Sequence, residues 1–259
     1  MMHGVPPARR AARDHEGFPR ELSPQHAEGR RTRRHPRPTQ FDYLHLRRLL
    51  DDLEQVLPLL TAPGGDVLDV FCGSRPYEDL LPPGADVVGL DVSDDFGVAD
   101  VVSREFLPFP DASFDGVMCL EAFYYVEDPA HGVAELMRVL RPGGRLVVTV
   151  PFAWEYDRTL LEHRFTGPEL VALFSGWDEL RVKEQGGRGV SWSTQTGHLL
   201  DIAAQALRRR VGRPVLPLYA GACVALNLLG ATIERMERRH PRGTLTLPMN
   251  HLVCARRPG

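Results

Sequence analysis

The segment Val67-Leu68-Asp69-Val70-Phe71-Cys72-Gly73-Ser74-Arg75-Pro76-Tyr77 constrains this chain more than any other. A short apolar run carrying one acid breaks into a glycine-containing turn. A second apolar run, Val87-Val88-Gly89-Leu90, follows and ends in Asp91. Short apolar runs bounded by turn residues read as strands buried on both faces of a sheet. Strand, turn, helix, strand, acid is the order of a nucleoside-binding half of a doubly wound α/β sheet. An acid at the tip of the second strand can accept hydrogen bonds from both ribose hydroxyls. The rival ligand, a dinucleotide, calls for G-x-G-x-x-G at the turn, and Phe71-Cys72-Gly73-Ser74-Arg75-Pro76 lacks those glycines.

The rest of the chain supports one large domain with appendages. Its 259 residues, 43% of them hydrophobic, can bury a sizeable core, and a net charge of −3 implies no nucleic-acid or acidic-lipid partner for the chain as a whole. Cys72, Cys119, Cys223 and Cys254 lie far apart, without metal-ligand spacing, and the N-terminus lacks the apolar segment of a secretory signal. A reduced, cytoplasmic protein without a bound metal is expected. Residues 1–40 are rich in Arg, His, Pro and Gly and read as a disordered tail. Its basic run, Arg30-Arg31-Thr32-Arg33-Arg34, is diluted by Asp14, Glu16, Glu21 and Glu28.

From Phe41 to Leu60 leucines recur at helical spacing. A short helix around Tyr77–Leu81 is expected between the first two strands, and a brief third strand over Val98–Val102, with the helix before it abbreviated or lost. Phe114–Leu120 reads as the fourth strand. Asp128-Pro129 caps the next helix, Pro142-Gly143-Gly144 ends it, and Arg145–Val150 is a buried strand. Thr166-Gly167-Pro168-Glu169 is a capping box, and Trp177–Val182 leads into a sixth strand. The alternation breaks over 187–246. A helix spans His198–Arg210, the stretch Pro214–Ile233 carries no charge, and Thr246–Ala255 returns as the last strand.

Three segments, VLDVFCGSRPY (67–77), LPFPDASFDGVMCLEAFYYVEDP (107–129) and ELMRVLRPGGRLVVTVPF (135–152), resemble class I S-adenosylmethionine-dependent methyltransferases of the type 11 group. The likeness covers residues 41–186. It implies a Rossmann-like, doubly wound, mostly parallel seven-stranded sheet with an antiparallel last strand and a C-terminal helical cap. The methyltransferase domain would then span 41–259, with 187–246 inserted as the cap.

The resemblance also assigns roles. Asp69 would fix the turn and the amino group of the methionine moiety. Phe71, Cys72 and Gly73 would form the loop beneath the cofactor, and Asp91 with Val92 would hold its ribose. Ser103 and Arg104 would lie along the adenine edge, and Leu120 and Glu121 would face the methionine end. Two residues depart from the family pattern: Phe71 stands where a glycine is usual, and Ser103 where an aspartate is common. Both changes bear on cofactor affinity. Glu121 and His163 are the candidate proton acceptors for an oxygen nucleophile, with His131 a surface residue. Tyr124, Tyr125 and Arg164 would line the acceptor pocket. The expected activity is methyl transfer to a small-molecule or lipid-like acceptor, with oxygen favoured. The alternative is a non-catalytic, cofactor-binding or membrane-surface scaffold. The apolar stretch through 208–233, with Arg208–Arg210 beside it, suits weak peripheral contact with a lipid surface.

Overall fold

The computed structural model describes residues 24–104, 106–211, 215–239 and 245–259. Seven strands form one sheet: β1 (Asp66–Val70), β2 (Asp86–Asp91), β3 (Val101–Val102), β4 (Phe114–Leu120), β5 (Leu140–Pro151), β6 (Asp178–Gln185) and β7 (Asn250–Arg256). Their order is β3-β2-β1-β4-β5-β7-β6. β1 through β5 pair in parallel, and β7 runs antiparallel to both β5 and β6. The strand order reverses between β1 and β4, which opens a crevice at the carboxyl ends of these strands.

Successive side chains of each central strand enter different cores, as a pleated strand requires. Leu68 and Val70 of β1, Val117 and Cys119 of β4, and Leu146 and Val148 of β5 share one cluster. It is closed by α3 (Pro129–Val139) and α4 (Gly167–Leu173), through Val133, Leu136, Val139 and Leu170. Val67, Met118, Val147 and Leu252 point the other way, onto Leu49, Leu50, Leu53 and Leu57 of α2 (Tyr43–Val56) and the turn after it. The helix starts follow local chemistry. The Asp128 carboxylate accepts the Ala130 and His131 amides at the head of α3, and Thr166 and Glu169 cap α4 reciprocally.

The helices expected on the β1–β2–β3 side are largely replaced by clamps. Only a single 3-10 turn, Glu78–Leu80, stands between β1 and β2. Arg75 instead reaches across β2 to the Asp100 carboxylate, which also accepts the Gly89 amide at 2.9 Å. A Cβ on Gly89 would lie 2.2 Å from the Arg75 guanidinium, so glycine in β2 makes room for the clamp.

The reading of 1–40 as disordered needs correction over its described part. Residues Pro24–Arg34 form a helix, α1. It is tied down by contacts the local composition does not announce: Arg34 binds Asp79 at 2.9 Å and Glu54 at 3.3 Å, and His26 packs on Phe96. Residues 1–23 lie outside the described structure.

The cap region is a pair of long helices, α5 (Arg188–Val211) and α6 (Val215–Arg239); residues 212–214 and 240–244 lie outside the described structure. The two cross closely at Gly189 and Gly230. A Cβ on Gly189 would stand 2.2 Å from the Gly230 carbonyl oxygen. Phe41 fills the space above Gly197, and Asn227 donates to the Pro38 and Gln40 carbonyls, so the pair is fixed to the amino end of α2.

Candidate functional site

The loop after β1 carries the strain of the site. Phe71, Gly73 and Arg75 all have positive φ, at 56°, 50° and 51°. Glycine adopts this region freely; a bulky aromatic there costs about 1–2 kcal/mol. That explains the usual glycine at the position of Phe71. Here the ring is held by packing against the core beside Phe106, 6.1 Å away. Gly73 leaves its Cβ side open, with only the Phe96 ring at 3.9 Å, so its backbone is approachable from the crevice.

Asp91 closes the loop. Its Oδ2 accepts the Gly73 amide and its Oδ1 the Val92 amide, both at 2.8 Å. The carboxylate therefore organises the backbone as well as presenting free lone pairs. Asp69 sits beneath, buried, and burial pushes its carboxyl up to about 7 against the opposing pull of Arg75. Burial likewise raises the Cys72 thiol, so this cysteine is inert packing rather than a nucleophile. The Ser103 amide donates to the Asp91 carbonyl at 3.0 Å, which places Ser103 on the β2 side of the crevice. Arg104 and Val92 are exposed.

Glu121, at φ 58°, turns the chain away after β4 and Leu120. Its amide donates to the Thr149 carbonyl and hydroxyl, and its Oε1 accepts the Asn250 amide at 2.8 Å. The imidazole Nε2 of His45 lies 3.8 Å from Oε2. Burial raises the Glu121 carboxyl above its ordinary range and pushes His45 down to about 4, so the imidazole is neutral at physiological pH. The buried Asn250 Oδ1 has no partner. The positive charge of Arg33, from α1, acts on Glu121, His45 and Tyr77 together. Residues remote in sequence thus converge on Glu121, His45 from α2, Thr149 from β5 and Asn250 from β7, while the charge of the exposed Arg33 acts on it from α1. A ring series, His45 to Trp154 (5.9 Å) to His198 (6.0 Å) to Phe41 (5.2 Å), continues from this cluster toward α5.

The other acceptor-side candidates divide. Tyr124 is buried and Tyr125 half-exposed, their rings 4.0 Å apart, and the Glu121 charge reaches Tyr124. His163 stacks on Phe165, and its amide donates to the Tyr124 carbonyl; its buried Nε2 has no partner. The Arg164 guanidinium is taken up by Glu162 at 2.7 Å, the Glu155 carbonyl and the face of Tyr124. That geometry makes Arg164 a support for Tyr124. His45, Asn250 and Arg33 escaped the sequence reading, since none stands in a motif. Only His45 left a trace there: a polar residue among Leu44, Leu46 and Leu49 on the buried face of α2, which it shares with Asp52.

The crevice offers features that suit an adenosyl sulfonium ligand. It has a glycine-opened backbone, an acid at the β2 tip, a buried acid beneath the loop after β1, and an unpartnered acceptor on Asn250. Comparison with known proteins agrees. A family model described as a methyltransferase domain matches residues 68–148. The chain is 34% identical over 152 residues to the 27-O-demethylrifamycin SV methyltransferase of Amycolatopsis mediterranei, covering 49% of this chain and 54% of that protein. It is 39% identical over 178 residues to the demethylmenaquinone methyltransferase of Beutenbergia cavernae, covering 54% of this chain and 72% of that protein. Several other curated relatives are matched over less than half their length. Among solved structures, a putative sarcosine dimethylglycine methyltransferase from Galdieria sulphuraria shares the fold, with a TM-score of 0.53 and 17% identity over 82% of this chain and 86% of that one. The chain belongs to the class I S-adenosylmethionine-dependent methyltransferases, type 11 group.

Proposed function

We propose that this protein transfers a methyl group to a hydroxyl of a small, ring-containing acceptor. One observation carries the reading: a largely enclosed carboxylate, Glu121, is fixed by Asn250 at the end of β4, beside the neutral His45. A general base works best when its pKa lies near the operating pH, and burial moves Glu121 in that direction. The relatives named above act on rifamycin and menaquinone precursors, which supports a small-molecule acceptor.

When bound, S-adenosylmethionine supplies the activated methyl group. The residues that would hold it are Asp91 for the ribose, the Gly73 backbone for the adenosyl moiety and Asp69 for the amino group. Leu120 and Glu121 would border the sulfonium end. Glu121 would take the acceptor hydroxyl proton at Oε2, the oxygen turned toward His45, while Asn250 holds Oε1 and fixes the direction of the other. Tyr124 and the Trp154–His198 stack would bracket the acceptor ring, excluding water. No protein nucleophile is needed, because the chemistry is displacement with alignment. Four free thiols, three of them buried, accord with a reducing cytoplasm.

The test is release of S-adenosylhomocysteine by purified protein across phenols, hydroquinones and aliphatic alcohols. Glu121→Gln is expected to lower kcat about 10²–10³-fold, with cofactor affinity little changed. Unchanged turnover would remove Glu121 from the chemistry. Asp91→Ala should weaken cofactor binding by about 1–3 kcal/mol, read by calorimetry. The scaffold alternative draws on the strain at Phe71, which opposes the loop shape a bound cofactor needs. Cofactor binding without turnover on any acceptor class would favour it.

A further inference from the structure

Only a stripe of the α5–α6 pair is buried, and much apolar surface on both helices is left exposed. On α5, Trp192, Leu199, Ile202, Ala203 and Ala206 fall on one helical face, and Leu199 is 66% exposed. On α6, Cys223, Asn227, Gly230 and Glu234 are buried, while Leu218, Leu228, Leu229 and Met236 turn outward, Leu218 at 78% and Leu228 at 65% exposure. Contiguous apolar patches of this kind mark an interaction surface.

Charge identifies the partner. Across the span of these apolar residues, Trp192 to Met236, the sequence holds Arg208, Arg209, Arg210, Arg213 and Arg235 against two acids, Asp201 and Glu234, and Glu234 is buried against Arg48 and Arg238. Arg208–Arg210 end α5 and are exposed beside the apolar face. A second copy docked through the same face would bring the same excess of arginines, with Asp201 the one acid of that span not already paired to an arginine. An anionic bilayer answers both halves: leucines enter the acyl boundary and arginines stay at headgroup level, their stems along the apolar surface. α6 is long and apolar enough to cross a membrane by length and composition. However, Asn227 is bonded to the Pro38 and Gln40 carbonyls, and Glu234 is paired with Arg48 at 2.7 Å. These ties hold the helix on the domain. We propose that the outer face of the α5–α6 pair docks on an anionic lipid surface, lying in its interface rather than spanning it. The same α5 carries His198 of the ring series, so docking would bring the acceptor side of the crevice to the lipid.

The experiment is flotation of the intact chain with vesicles of phosphatidylglycerol and phosphatidylcholine, against phosphatidylcholine alone. Co-flotation with the anionic vesicles, weakening as salt rises, is expected. The triple variant Arg208→Ala/Arg209→Ala/Arg210→Ala should lower partitioning about tenfold to a hundredfold. Leu199→Asp/Leu218→Asp should abolish it while leaving circular dichroism and cofactor affinity unchanged. Should that variant misfold, the arginine variant decides alone. Absence of flotation, equal binding by wild type and variants, or a dimer in analytical ultracentrifugation that Leu199→Asp/Leu218→Asp dissociates would overturn the proposal.

Discussion

The parallel half of the sheet and the α5–α6 pair are built on opposite terms. In β1, β4 and β5 nearly every apolar side chain is buried, alternately in one core or the other. Asp69 within β1 is consequently pushed up to about 7, and Glu121 just past β4 is raised above the ordinary carboxylate range. In α5 and α6 only one stripe of each helix is buried, and the outer face is left to solvent or to a partner. The sheet half concentrates electrostatic work. The helical pair has close backbone packing on the inside and surface chemistry on the outside. Substitutions in the two regions should therefore fail in different ways.

The largest contrast is in pH dependence. In the native protein Asp69 keeps its proton up to about 7, whereas the unfolded chain releases it near 3.8. Its contribution to stability is therefore present at low pH and is lost as pH rises through that window. His45 does the reverse: native imidazole stays neutral down to about 4, and the unfolded chain takes a proton near 6.5, so stability is lost as pH falls from 6.5 toward 4. The two slopes oppose each other. Asp69→Asn should expose the His45 slope, worth up to about 3 kcal/mol across its window, and His45→Gln the Asp69 slope, worth up to about 4 kcal/mol. Urea melts over that range check it; parallel profiles for both variants and wild type would show that neither group titrates as its burial implies.

Gly189→Ala comes next. Its Cβ meets backbone at the helix crossing, where nothing flexible can yield, and a loss of about 2 kcal/mol is expected in thermal melts. A neutral result would mean the two helices slide freely, and the contrast with the rigid sheet would fail. Phe71→Gly should favour the loop conformation by about 1 kcal/mol and tighten cofactor binding several-fold, unless the lost packing beside Phe106 dominates. Calorimetry separates the two by sign. The smallest expected effect is on the outer face: Leu199→Asp/Leu218→Asp should move stability by less than about 0.5 kcal/mol. A larger loss would show that this surface is covered within the protein itself.

Much of the sheet half was legible because its signals are local. Phe114–Leu120 is a strand at the residues expected, and Asp128 and Thr166 cap the helices they announce. The loss of the helix before β3 also followed from chain length alone, since too few residues separate Asp91 from Val101. The helix near Tyr77 shrank to one turn because Pro82-Pro83 follows it closely and Arg75 supplies the clamp instead. The α5 helix begins at Arg188, ten residues before His198, where the sequence reading started it. Its first turns are buried by a partner helix, which no local pattern shows. α1 was read as disordered for the same reason: a polar helix with little apolar surface is held by Asp79, Glu54 and Phe96, all distant in the chain.

The order of apolar runs, turns and acids determined by itself that this chain forms a doubly wound sheet with Asp69 and Asp91 at adjoining strand ends, since strand burial and turn geometry are short-range consequences of residue type. Tertiary structure alone decided which groups surround Glu121. His45, Thr149 and Asn250 are brought together from three separate elements, with the charge of Arg33 acting from a fourth, and the electrostatics of a largely enclosed carboxylate depend on what surrounds it, whatever the separation along the chain.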